Sequence, residues 1–296
     1  RHPPGSTSSE SRGRAARVKS AGTNQGGAVN KDIADILRRH GADPGEFSPS
    51  TKTVLEGSVP GESSLALWNE LRGAFGKTGM WPIFRGEEVP EIPEVDPTGI
   101  LHDVPTGSVR ELLHERFAER VETFEGLVPG LAPGCDLETF VSLVDASGAM
   151  SSGGKAPPRD PWPAAKQERP QPGFSSLVGS DGEPLSAVGL ALVSLRLPHE
   201  APAHLGFGGW NDAPEPALQV AVLREWNRKY MAVPLAITED VLECAVASPP
   251  RIEEEALPLA AEQWIFCDDI VGQGTQTVRK LAIEIWRSRS WFFWWD

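Results

Sequence analysis

The chain has 296 residues, 40% of them hydrophobic and 23% charged, an ordinary globular composition sufficient for one or two domains. Its formal charge is −13, and because residues 1–28 carry a net +4 the remainder stands at −17. A body that acidic repels phosphate backbones, which argues against nucleic acid and leaves basic partners or neutral ligands. Cys135, Cys244 and Cys267 are widely spaced and form no CxxC pair. Neither a zinc ribbon nor a disulfide framework is expected, and reduced thiols suit a cytoplasmic protein. No stretch approaches the roughly 18 apolar residues of a membrane span, and no secretory leader is recognisable, so no membrane association is expected.

Residues 1–28 are rich in Ser, Gly and Arg and lack periodicity. They read either as a disordered basic tail or, preferably, as translated leader. Gln25, Gly26 and Gly27 can be encoded by a purine-rich stretch of the bacterial ribosome-binding type. Val29 then corresponds to a GTG start codon, and helical periodicity follows at once. Asn30 caps a helix over 31–40, with Ile33, Ile36 and Leu37 on one face. An extended piece at 53–56 precedes a helix over 63–75, ended by Gly76. Met80, Trp81, Pro82, Ile83 and Phe84 form a strand that Pro82 assigns to an edge or places near a strand end. The Pro- and acid-rich stretch 86–106 reads as loop. Ser108 starts a charged helix reaching about 125, and Asp136 caps another over 137–144. Residues 148–184 show no periodicity and read as a linker.

The pattern then sharpens. A strand over 188–197, a Gly-rich turn over 206–212 and a helix from Pro214 to Tyr230 are followed by strands over 232–237 and 241–247, with Glu239 and Asp240 in the tight turn between them. Helices over 252–266 and 275–289 flank breaks at Gly272 and Gly274. The first opens on Glu253, Glu254 and Glu255, which suit the positive end of its dipole. Trp291, Phe292, Phe293, Trp294 and Trp295 end the chain before Asp296, five consecutive rings. Such a run needs both faces covered, which predicts a strand in the interior of a sheet. Trp68 with the strand after it and Trp226 with the strand after it form a weak internal echo, a possible duplicated helix–strand unit.

The expected architecture is mixed α/β (α+β): a single sheet with helices packed on it and the aromatic strand inside. Its expected parts are a leader (1–28), a mostly helical N-terminal region with a short Trp-Pro strand (29–147), a linker (148–185) and a C-terminal α/β domain (186–296), completed by the Trp81 strand.

Gly209, Trp210 and Asn211, then Trp226 and Tyr230, Glu253 through Glu262 and Gln263, Phe266 through Val271, Gln273 to Thr275 and the terminal rings form one constellation. It resembles the bacterial, largely actinobacterial, domain-of-unknown-function family 4253 over about 188–296, and the Trp68 to Pro82 segment is similar to the upstream part of many members. Where members commonly carry Gly-Ala after the Tyr, this chain has Met231 and Ala232. The resemblance implies no activity.

The 206–212 loop has neither GxGxxG nor P-loop spacing and reads first as a turn, with Asn211 or Asp212 capping a helix. Asp268 and Asp269 lack EF-hand spacing. A cysteine or carboxylate mechanism would need His199 or His204 brought alongside. His102 and His114 sit in no HExxH pattern, and no Ser lies in a GxSxG elbow. No catalytic residue, metal ligand or cofactor is therefore assigned. The candidate binding residues are Trp210, Asn211, Asp268, Asp269 and Gln273, and Trp210 is the favoured surface anchor. The preferred function is a non-catalytic interaction module of the immunity-like or regulatory kind, with a basic protein partner. The alternative is a hydrolase using the acidic pair and a histidine, with or without a metal.

Overall fold

The computed structural model describes residues 29–87, 89–150, 155, 161–164 and 173–296; the expected leader lies outside them, as does part of the expected linker. Helix α1 (Lys31–Arg39) starts where Asn30 accepts the Ile33 N–H at 3.0 Å, and it buries Ile33, Ile36 and Leu37. Strand β1 (Ser48–Pro49) pairs with β2 (Val54–Pro60), longer than the expected 53–56 piece. Helix α2 (Ser64–Thr78) runs through Gly76 and ends at Gly79, whose φ of 67° lets its N–H reach the Phe75 carbonyl at 2.8 Å. Gly76 faces open space, where a helix tolerates glycine at a modest cost; the left-handed residue is what stops it.

Strand β3 (Met80–Gly86) leads into the acidic stretch, which holds a short helix α3 (Pro97–His102) opened by Asp96 accepting the Thr98 N–H. The single helix expected over 108–125 is two: α4 (Val109–Leu112), with a Ser108–Glu111 capping box, and α5 (His114–Phe124), separated by non-helical Leu113. Helix α6 (Leu137–Ser147) opens on the Asp136 cap. Strand β4 (Ala187–Ser194) stops short of 197, because the Glu200 carboxylate accepts the Arg196 and Leu197 N–H groups and turns the chain toward α7 (Ala201–Leu205). Helix α8 (Pro216–Tyr230), strands β5 (Ala232–Ile237) and β6 (Val241–Val246), and helix α9 (Glu253–Phe266) follow. A π-helical turn (Ile270–Thr275) precedes α10 (Val278–Ile285), which starts after residue 275 because Thr277 caps it, and β7 (Ser290–Trp294) ends the fold.

The seven strands form one mixed sheet ordered β1-β2-β4-β3-β5-β6-β7, antiparallel except between β3 and β5. Two expectations about strand position are corrected. Strand β3 is central, not an edge. Leu195 N donates to Gly79 O at 3.3 Å, so by alternation the odd-numbered residues of β3 bond β4 and Pro82 turns toward β5. That ladder registers only Phe84 with Ala236, so the missing N–H costs no bond.

Strand β7 lies at the sheet edge, not inside it. Trp291, Phe293 and Trp295 are buried, whereas Phe292 is 39% exposed and Trp294 half-buried. One covered face suffices because that face meets an aromatic layer. Trp226 of α8 stacks on Phe293 at 5.5 Å and meets Trp291 edge-on, while Phe266 of α9 contacts Phe293 and Trp295. Buried ring pairs add roughly 0.5–1.5 kcal/mol each beyond their area.

The sheet and its core cross the expected 148–185 boundary. Residues from α1 and β2 share one buried cluster with those from β4 through β7. The echoed units α2–β3 and α8–β5 carry the parallel pair, but their tryptophans act differently: Trp68 Nε1 donates to Pro82 O and Trp226 Nε1 to Glu262.

Candidate functional site

The Gly-rich 206–212 loop is built around a buried amide. Gln219 Nε2 donates to Phe207 O at 3.1 Å and Pro214 O at 2.9 Å, filling the turn that a ligand cradle would leave open. Gly208, at φ 117°, is required by that filling: a Cβ there would lie 2.2 Å from Pro214 O. Gly206 is required from outside, where a Cβ would come within 2.6 Å of Pro93 Cγ in the acidic stretch. Trp210 is half-buried, its ring edge-on to Phe207 and Trp295 at 5.7 and 6.4 Å. Asn211 is exposed, and both it and Asp212 take positive φ. Neither caps α8, whose N-cap is Glu215.

The loop is bound to the end of α9 by two arginines of α5. Arg116 Nη2 donates to Asp212 Oδ2 at 2.8 Å and its Nε to Ile265 O at 3.1 Å. Arg120 pairs with Asp212 and, through Nη1, with Asp268 Oδ2 at 3.0 Å. Asp212 and Asp268 are thereby joined to each other, a linkage sequence reasoning missed. The one signal was local: Arg116 and Arg120 stand four apart, on one helix face.

The acidic pair diverges. Burial pushes the Asp268 carboxyl up, with Arg120 opposing it. Asp269 turns the other way, accepting Gln273 Nε2 and the Asp296 N–H, each at 3.0 Å. Gln273 is thus brought to Asp269, while Trp210 packs on Trp295 and Asn211 is exposed.

His204 Nδ1 hydrogen-bonds Thr53 Oγ1 at 3.2 Å, and burial lowers both His204 and His199. Among the described residues no hydrogen bond joins a histidine to Asp268 or Asp269, and no cluster of three His, Cys, Asp or Glu side chains has metal-binding geometry. The Cys267 thiol donates to Trp294 O at 2.9 Å, and burial raises it far above a reactive range. The constellation over 253–296 therefore works as a clasp: the turn after α9 holds the terminal strand by a thiol, a carboxylate and the packing of Trp294 on Gly274.

Beside the loop runs an acidic strip. Between Arg85 and Arg110 the chain has six carboxylates and no Lys or Arg. Glu87, Glu91 and Glu94 are exposed, and buried Arg85 pins the strip by donating to Pro90 O and Ile237 O. No helix among the described residues is long and apolar enough to cross a membrane.

Residues 189–296 match the family described as Domain of unknown function (DUF4253). No curated protein and no solved structure matches the chain.

Proposed function

We propose that the chain is a non-catalytic interaction module of the immunity-like or regulatory kind, acting in the bacterial cytoplasm on a basic protein partner. The observation that carries this reading is the exposed acidic strip at Glu87, Glu91 and Glu94, held against the 206–212 loop by Pro93. Like charges fixed in one place steer an oppositely charged partner and fix its register. Trp210 and Asn211 belong to the loop that Pro93 touches at Gly206, and they supply an anchor with an adaptable polar neighbour. The hydrolase alternative has no observation in its favour, since Asp268 is engaged by Arg120 and Asp269 by Gln273 and the terminal backbone.

The test is affinity capture with the natural protein and with a Glu87→Lys, Glu91→Lys, Glu94→Lys variant. A partner with excess Lys and Arg should be retained by the natural protein, released as salt rises, and lost with the variant. Retention unaffected by the variant, or hydrolytic turnover abolished by Asp269→Asn, would overturn the reading.

A further inference from the structure

A cavity of about 440 Å³ lies where the acidic strip meets the sheet, over β2 and β4. That volume falls within the roughly 300–1,000 Å³ range of small-molecule sites. Ser58 pairs in register with Gly189, so by alternation Glu56 and Ser58 of β2 share one sheet face with Ala187 and Gly189 of β4. All four line the cavity, together with Glu87 and Val89 of the strip. Glycine at 189 is what lets the strip lie against β4: a Cβ there would stand 2.4 Å from Val89 Cγ2.

Glu56 is fixed by a buried cation. Arg85, 3% exposed, brings Nε within 3.3 Å of Glu56 Oε1, while its Nη1 and Nη2 donate to Ile237 O and Pro90 O. Glu56 Oε1 is enclosed; Oε2 accepts no hydrogen bond from a described residue, and the side chain keeps 18% exposure where it lines the cavity. Among the described lining residues there is no Lys or Arg. Arg85 compensates one of the two carboxylates, Glu56 and Glu87, which leaves a single negative charge in excess and suits one cationic head.

The sheet edge beside the cavity is open for one residue. Thr53 O accepts the Ser194 N–H and Val54 O accepts the Ser50 N–H, so odd-numbered residues of β2 bond β4 and even-numbered ones face outward. Strand β1 pairs no further along β2 than Glu56, which leaves the N–H and C=O of exposed Ser58 pointing out with no strand beside them. An extended chain laid there gains ladder hydrogen bonds at Ser58 and sets a side chain over the cavity.

We propose, resting on the basic-partner reading above, that this cavity receives one lysine side chain from an extended segment of the partner. The strip attracts the segment and the cavity fixes its register. The lysine methylenes lie along Val89 and Ala187, and the ammonium meets Glu56 Oε2 and Glu87. Lysine is favoured over arginine because Glu56 has one free oxygen, which serves a point charge and not a two-pronged fork.

Calorimetric titration of the full chain with an acetylated, amidated octapeptide alternating threonine and lysine tests this. The same peptide with 2,4-diaminobutyrate for lysine keeps every charge and shortens every stem, so an exposed strip binds both alike and a cavity does not. The lysine peptide should bind, with the short-stemmed one weaker by at least about tenfold. Ser58→Leu, which fills the cavity from an exposed position, should weaken the lysine peptide at least about tenfold with the fold intact. Glu56→Gln should do the same, and Ser58→Leu remains decisive where the charge lost beside Arg85 unfolds the chain. Glu91→Gln with Glu94→Gln reports on the strip separately: an unchanged affinity there, with the stem-length preference kept, sinks the strip reading and leaves the cavity standing. No binding of the lysine peptide, equal affinity for the two stems, tighter binding of an arginine counterpart, or unchanged affinity in Ser58→Leu would overturn the cavity assignment.

Discussion

The ring of Trp294 lies directly over Gly274: a Cβ added to Gly274 would stand 2.9 Å from Trp294 Cη2. The contact joins the π-helical turn to the terminal strand, and it explains why a glycine occupies a turn whose φ is not left-handed. The constraint is steric and acts at a distance of twenty residues in sequence.

Gly274→Ala should therefore destabilise the protein by about 1–3 kcal/mol, the usual cost of overpacking. Gly73→Ala, in the interior of α2 with nothing near its Cβ position, should stabilise by about 0.5–1 kcal/mol. Urea denaturation of both variants checks the pair. Equal effects of one sign would mean that Trp294 yields without cost.

Deleting residues 291–296 should abolish cooperative unfolding. Trp291, Phe293 and Trp295 are each at most 2% exposed, and loss of a buried large ring costs about 3–5 kcal/mol. Three such losses reach the whole stability of a typical domain, about 5–15 kcal/mol. Differential scanning calorimetry should show no transition in the truncated chain; a sharp one would assign the rings to a partner surface.

Glu262 carries a pH prediction. Burial pushes its carboxyl above the ordinary range, with Lys229 and the Trp226 indole N–H acting against that shift. A raised folded-state value means that its contribution is fully present below the unfolded carboxylate pKa of about 4.3 and is lost as pH rises through the folded value. Glu262→Gln keeps an acceptor for Trp226 and removes the titration. Relative to the parent it should gain stability as pH rises from about 4 to 7. The difference between the two isolates Glu262 from the buried His199 and His204, whose lowered values act in the opposite direction. A difference that stays flat over that range would mean the carboxyl is not perturbed.

Gln263 and Gln219 show how differently two buried amides can stand. Both are at most 1% exposed on helices of similar length, yet Gln219 donates twice within its own loop while the Gln263 amino group donates to nothing. From the chain alone they are indistinguishable. The Asn30 and Asp136 caps, the β5–β6 hairpin and the apolar stripe of α8 were legible because each rests on a repeat or a side chain only a few residues from what it contacts. Likewise, burial of Trp291, Phe293 and Trp295 on one face follows from strand alternation.

Other features needed the whole fold. That β7 is an edge strand, and that β3 is central despite Pro82, depends on strand order, which alternation along one strand does not encode. The divergence of Asp268 and Asp269 was set by Arg120 on one side and by Gln273 with the terminal backbone on the other, across up to 148 residues of sequence. Local periodicity and capping act through neighbours along the chain. Strand neighbours and ion-pair partners arise only when segments far apart are packed into one core, and that packing, not the local sequence, decides which of them meet.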